Sequence, residues 1–287
     1  MPTETVVTYL VANYNCASFL EDCIRSLQTQ TVPNWKCIIC DDRSTDESKR
    51  ILSTLTDSRF QVIFSDKNKG YTRTLQHLIQ NATSEWVAIF DPDDQLYPHT
   101  TEKIRDVILN DPGLKFIYSK FHIYDAQLQN ILGEGGTPYP SRGTTLESGF
   151  ISHIKVFKKS EYLMLEGYDP EILYAEDRDL IYQFEEITRP RFIDEYLYKY
   201  RVLTTSQSNA PQKKEIGLQS HYKARKKTLK RRNIKGMEYY FYCMLFKLDT
   251  IHSSDLRPKW QKQIALKLRK KLVKIDKRFK VRKILYN

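Results

Sequence analysis

A chain of 287 residues that is 40% apolar and 12% aromatic can build one large domain, or one domain with an appendage, and is excluded from the disordered classes. No run of about 18 apolar residues is free of charge and the first residues do not open a secretory signal, so no spanning helix is expected and a cytosolic protein is. The net charge of +11 hides an asymmetry: residues 1–210 hold 22 Lys and Arg against 30 Asp and Glu, a net of −8, and residues 211–287 hold 24 against 5, a net of +19.

The first hundred residues alternate strand and helix signals. VVTYLVANYN reads as a strand, and Phe19, Leu20, Cys23, Ile24 and Leu27 then recur at helical spacing. WKCIICDD is a second strand. Its C-x-x-C, Cys37 and Cys40, sets the two thiols on opposite faces, so buried small hydrophobes are expected rather than a zinc or redox site. Five cysteines without a regular framework fit a reducing compartment. Ser44-Thr45-Asp46-Glu47 has the form of a capping box and predicts a helix opening there. FQVIFSD is a third strand, and Leu75, Leu78 and Ile79 mark a helix behind Gly70. EWVAIF is the fourth, followed by a helix carrying Ile104, Val107 and Ile108; Trp35 and Trp86 precede strands and read as packing residues. Four βα units in a row predict a parallel sheet covered on both faces.

In such a sheet ligands bind beyond the carboxyl ends of the strands. Polar residues cluster there: Asn13 and Asn15 after the first strand, Asp41 and Asp42 after the second, Asp66 after the third, and Asp91, Asp93 and Asp94 after the fourth. Neither G-x-G-x-x-G nor G-x-x-x-x-G-K-[ST] occurs, so a nucleotide diphosphate would need another counter-charge. Three carboxylates in FDPDD, residues 90–94, repel one another unless they splay into water as a turn or share a cation, and a divalent metal would supply that charge. For Asp41 and Asp42 a turn with a helix cap is the competing role.

From residue 115 the pattern changes. KFIYSKFHIYD reads as a strand, GEGGTPYPSRG at 133–143 as a mobile loop, and RFIDEYLYKYRV as a final short strand pair. In AEDRDLIYQF a helix would align Asp177 with Leu180, Ile181 and Phe184, turning Asp177 inward and Asp179 away. An inward carboxylate in a first turn is either an N-terminal charge favoured by the helix dipole or a base lining a cleft.

Taken together, NYN (13–15), CDDRSTDES (40–48), NKG (68–70), FDPDD (90–94), EGYDP (166–170), AEDRDL (175–180) and YRVLTTSQS (200–208) resemble, in order, the inverting family-2 nucleotide-sugar glycosyltransferases of the GT-A fold. The resemblance covers roughly residues 5–210. It implies an α/β fold with a Rossmann-like, mostly parallel sheet flanked by helices, and a C-terminal basic helical appendage. It implies nucleotide-sugar contacts at Asn13, Tyr14, Asp41 or Asp42 (Asp41 favoured, at the strand end), Asn68, Gly70, Arg73 and Asp91. Asp93, with Asp91, would hold Mn2+ or Mg2+ on the diphosphate, and Asp177 would be the general base. Asp94, Glu176, His153 and Arg201 are expected in support. Two departures stand out: Arg43 occupies a position where glycine is usual, so a differently shaped turn is expected, and Leu203 replaces a frequent histidine.

The resemblance thus implies metal-dependent inverting transfer of a sugar, from a UDP-sugar by preference, to a carbohydrate or lipid-linked acceptor in surface polysaccharide, lipopolysaccharide or glycolipid synthesis. A nucleotidyltransferase would carry a basic Gly-rich loop after the first strand, and NYNCASF has none. A D-x-D phosphatase would place its nucleophile after the first strand, and a non-catalytic nucleotide-sugar-binding module would need no base. The expected division is 1–210 as the transferase domain, with 1–114 the nucleotide-binding half and 115–210 the acceptor-binding half, and 211–287 as the basic region. KARKKTLKRRN (223–233) and LKLRKKLVKIDKRFKVRKIL (266–285), with MEYYFYCMLFKL (237–248) between them, predict helices for an anionic membrane surface, with a packed or oligomerising appendage as the alternative and nucleic acid least favoured. The expected address is cytoplasmic, peripheral on the inner face of the membrane.

Overall fold

A computed structural model describes residues 4–141, 143–203, 211–254 and 257–279. The elements follow in chain order as β1 (Val7–Asn13), α1 (Ala17–Gln28), β2 (Trp35–Asp41), α2 (Ser48–Ser53), β3 (Phe60–Phe64), α3 (Tyr71–Asn81), β4 (Trp86–Ile89) and β5 (Gln95–Leu96). Then come α4 (Thr100–Asn110), β6 (Phe116–Tyr124), β7 (Ile131–Gly135), α5 (Thr145–Ser148), β8 (Lys155–Lys158) and α6 (Lys159–Met164). The last are α7 (Glu176–Phe184), β9 (Arg191–Arg201), α8 (Pro211–Arg231), α9 (Gly236–Ser253) and α10 (Lys259–Phe279). They form two compact units: Met1–Tyr139 with Phe150–Tyr168 and Ile187–Leu203, and Pro140–Gly149 with Asp169–Glu186 and Thr204–Asn287.

The first unit is built on one sheet of order β3-β2-β1-β4-β8-β6-β9-β5, with β7 added to β6. All of β1 is buried, as a mostly apolar strand covered on both faces requires, with Thr8 and Asn13 its polar members. β1 pairs in parallel with β2 from Val7↔Trp35 to Asn13↔Asp41, which sets Asn13 and Asp41 side by side at the carboxyl edge. β4 and β3 complete the parallel half. Beyond β4 the sheet is mixed: β8 runs antiparallel to both β4 and β6, β9 is parallel to β6, and β5 is antiparallel to β9. Leu20, Cys23 and Leu27 of α1, Ile104 of α4 and Leu197 of β9 pack with Val7, Val11, Cys37 and Ile39 in one core. Cys37 and Cys40 are both buried free thiols, and desolvation raises both above the usual thiol range. Trp35 and Trp86 are buried.

Three sequence expectations change here. The capping box does not form: α2 begins at Ser48, its N-cap Glu47 makes no side-chain cap bond, and Asp46 accepts the Ser48 backbone N–H at 3.0 Å instead. Ser44 is instead bound to Asp41, and Asp46 accepts the backbone N–H of Ala17 at 2.8 Å, an orphan donor at the start of α1. The segment expected as loop from residue 133 starts as strand, because β7 pairs with β6 through Phe121↔Gly135. Gly135 is obligatory there: a Cβ would fall 2.0 Å from the Phe121 ring. The expected final strand pair is one strand, β9, which follows β6 across a register shift between Ser119 and Phe121.

In the second unit Leu146, Ile172, Ala175 and Tyr182 pack with Ala224, Leu229 and Ile234 and with Tyr242, Leu245 and Phe246 of α9. Ion pairs fix α7 to α8: Asp179 meets Arg231 at 3.0 Å and Lys227 at 3.5 Å. The expected orientation of α7 is therefore corrected. Asp179 is buried, while Asp177 is only partly so. Spacing along one helix assumes a single buried face, and α8 buries the other by bringing guanidinium and ammonium groups to Asp179.

Candidate active site

Two carboxylates at the end of β2, Asp41 within it and Asp42 just beyond, shape the carboxyl edge. Asp41 accepts the Asn13 Nδ2 amide at 2.7 Å, the Ser44 hydroxyl at 2.5 Å and the Ser44 backbone N–H at 3.1 Å. Asp42 accepts the backbone N–H groups of Lys69 and Gly70, each at 2.8 Å, and so ties the β2 turn to the start of α3. Gly70 sits at φ +82, a conformation that side chains rarely adopt, and the Asn68 side chain accepts its N–H at 3.1 Å. Arg43 lies at φ 62, the left-handed conformation that glycine favours, so this turn holds an arginine where glycine would be unstrained. Its guanidinium reaches the Asp66 carbonyl. Tyr14 and Asn68 are exposed on this edge. Arg73, in the first turn of α3, is exposed with no acidic partner among the described residues, a cation open to an anionic ligand.

The acidic turn follows β4. Asp94 is its buried member, accepting the Tyr198 hydroxyl and the Arg201 backbone N–H, both at 2.7 Å. Tyr198 also accepts the Asp91 N–H at 3.2 Å, so one phenol joins both ends of the turn. Arg201 donates from Nε to the Asp93 carbonyl at 2.7 Å, from Nη1 to the Ala126 carbonyl at 2.7 Å, and from Nη2 to Asp22 at 3.1 Å. Asp91 accepts the Tyr71 hydroxyl at 2.8 Å. Asp93 receives no side-chain hydrogen bond among the described residues; burial and then the Asp91 charge push its carboxyl up to about 6. Burial and the charges of Asp93 and Asp91 also hold Asp94 well above the usual carboxylate range. His153 stacks on Tyr198 at 4.5 Å and Tyr200 at 5.1 Å, and one ligand atom each from His153, Asp91 and Asp94 lie within 4.8 Å of one another.

Oxygen and imidazole donors gathered in this way fit a divalent cation, and their mutual repulsion is what a cation would relieve. The sequence did not single out Tyr198 or Tyr71. Nothing local marks them: Tyr198 is 104 residues from Asp94, and only the β9–β5 pairing brings the two together.

Asp177 and Glu176 lie in the first turn of α7, in the second unit. There His221 of α8 senses Arg178, Asp177 and Arg225, and burial followed by Arg178 lowers its imidazole to about 4. Residues 204–208 of the YRVLTTSQS segment lie outside the described residues.

The model of glycosyl transferase family 2 matches residues 8–158. Chondroitin synthase of Escherichia coli is 27% identical over 236 residues, 82% of this chain; the chain spans 34% of that protein, about a third of its length. Among solved structures, S. aureus TarS 1–349 in complex with UDP-GlcNAc superposes with a TM-score of 0.62 at 15% identity, over 95% of this chain and 91% of that one. The mannosyltransferase PcManGT from Pyrobaculum calidifontis, in complex with GDP-Man and Mn2+, gives 0.62 at 16% identity, over 96% and 76%. These structures share the mixed α/β GT-A fold, and with the family match over more than half its length the chain belongs to glycosyl transferase family 2.

Proposed function

We propose that the chain transfers a sugar, with inversion, from a nucleotide diphosphate sugar to an acceptor hydroxyl in the synthesis of a surface polysaccharide, lipopolysaccharide or glycolipid. The observation that carries this is the acidic turn at the end of β4, braced by Tyr198 and Arg201 so that Asp91 and Asp93 stay together on the edge where ligands bind such sheets. In this reading Asp93 and Asp91 hold Mn2+ or Mg2+, with Asp94 and His153 beside them. When bound, the metal neutralises charge on the departing diphosphate. Asn13, Tyr14, Asp41, Asp42, Asn68 and Gly70 form the nucleotide edge, and Arg73 offers a charge to the phosphates. Asp177 takes the acceptor proton as the hydroxyl attacks, a role that contributes about 10²- to 10⁴-fold. Glu176 and Arg201 support these groups.

A UDP-sugar is favoured, which the UDP-GlcNAc complex of TarS supports; PcManGT with GDP-Man and Mn2+ supports the metal and keeps GDP-sugars in the screen. The polysaccharide product of chondroitin synthase supports a carbohydrate acceptor. No described helix is long and apolar enough to cross a membrane; in this reading a lipid-linked acceptor is met peripherally.

Calorimetry with UDP-, GDP- and dTDP-sugars, with and without manganese, tests the donor. One sugar nucleotide is expected to bind with manganese and to lose that binding in Asp93→Asn; no binding by any of them, or an unchanged Asp93→Asn, overturns the reading. Asp177→Asn should lower transfer by 10²-fold or more while donor binding survives, and loss of both would make Asp177 structural.

A further inference from the structure

The two basic stretches of the tail differ in what holds their charges. In α8, Lys223 pairs with Glu171 at 2.8 Å, Arg225 with Asp249 at 3.1 Å and Lys227 with Asp169 at 2.9 Å, and just past its end Arg232 pairs with Glu185 at 3.2 Å. With Arg231 on Asp179, most of this run is neutralised inside the second unit.

α10 is arranged otherwise. One face docks: Ala265 is buried, and Arg269 pairs with Asp249 of α9. A second, exposed face carries Trp260, Ile264 and Leu268, at offsets of four and eight and 46–61% exposed. Lys267 and Lys271 share that face, Lys270 flanks it, and none of the three has an acidic partner among the described residues. Ile264, Leu268 and these lysines line a shallow depression of about 380 Å³. On α9, Met237, Tyr240 and Met244 form a second exposed stripe, at offsets of three and seven.

We propose that this α10 face docks on an anionic lipid bilayer, with Trp260, Ile264 and Leu268 entering the headgroup boundary and Lys267, Lys270 and Lys271 meeting lipid phosphates. Apolar side chains in the middle of a cationic face suit acyl chains under phosphates, and long lysine stems reach outward while their methylenes stay buried. Nucleic acid would use the cations and leave Ile264 and Leu268 in water. A second copy laid on the same face would oppose lysine to lysine. The paired charges of α8 leave it out of this contact.

The purpose of the contact rests on the sugar-transfer reading, a lipid-linked acceptor held at the bilayer, but the two fail separately because vesicle binding and donor binding are separate measurements. The test is co-sedimentation of the full chain with vesicles of phosphatidylglycerol and phosphatidylcholine, against phosphatidylcholine alone. The expected result is binding to the anionic vesicles only. The Lys267→Gln, Lys270→Gln, Lys271→Gln variant should bind on the order of 100-fold more weakly, at about 1 kcal/mol per lysine and tenfold per 1.4 kcal/mol. Ile264→Ser with Leu268→Ser should also lose binding, while Lys223→Gln on α8, whose charge Glu171 already neutralises, should not. Both α10 variants should keep wild-type sugar-nucleotide binding and circular dichroism, which removes misfolding as a cause. The proposal is overturned by equal binding to neutral vesicles, by α10 variants that bind like the wild type, by preferential binding to a single-stranded oligonucleotide, or by a sedimentation-velocity dimer that the serine variant abolishes.

Discussion

Tyr198 shows how much one hydroxyl can hold. It donates to Asp94 and accepts from the Asp91 backbone, so a single buried phenol fixes both ends of the acidic turn. Tyr198→Phe keeps the ring, its edge contact with Phe90 and its stacking on His153, and removes only the oxygen. It should therefore cost about 1–3 kcal/mol in urea unfolding, since the buried Asp94 carboxyl loses a donor, and should weaken metal-dependent donor binding further than stability alone explains. An unchanged unfolding midpoint would show that the turn holds without it. At this scale the carboxylates were legible, because three of them after an apolar run are a local anomaly. Their braces were not, since hydrogen-bond partners far apart in sequence leave no local pattern. The same limit explains Ser44, which reads as a helix cap from its neighbours and serves instead to hold Asp41.

At the scale of elements, α7 is the instructive case. Its periodicity is real, and Leu180, Ile181 and Phe184 are buried as expected; the error was to assume that a charged residue off that stripe meets water. Asp179 is the charge by which α8 grips α7. Asp179→Asn should destabilise the protein by about 3 kcal/mol, because it removes the buried carboxylate that pairs with Arg231 and Lys227. Arg231→Met should cost a similar amount, and in a double-mutant cycle the two losses should not add, the sign of a direct pair. Full additivity in urea midpoints would dissolve the pairing. The strand elements were easier to read, since period and length survive burial on two faces, whereas β7 was hidden by its glycines. Gly135 marks close approach rather than a loop: the Phe121 ring lies on it.

For the whole molecule, the prediction concerns acid stability. His221 is held neutral by burial and by Arg178, with its imidazole near 4 against 6.5 in the unfolded chain. The unfolded state therefore binds the proton first: this contribution is full above about pH 6.5 and is lost as the pH falls toward 4, by no more than about 3 kcal/mol. Asp177 faces the same imidazole and opposes the shift, and Arg225 adds to it. Urea midpoints at pH 7.5 and 4.5 should move apart in the wild type and much less in His221→Gln. An equal fall in both would assign the acid sensitivity to other groups.

The sequence by itself determined the alternation of strands and helices in the first hundred residues, the edge at which the polar residues gather, and the family. These follow from apolar period and from motifs confined to a few neighbouring positions. Only the tertiary structure decided which carboxylate is buried and which stays accessible, where the sheet turns from parallel to mixed, and which basic residues are neutralised. Those outcomes depend on desolvation and on partners such as Asp94 with Tyr198 or Asp179 with Arg231, which come together only when the chain closes over tens of residues.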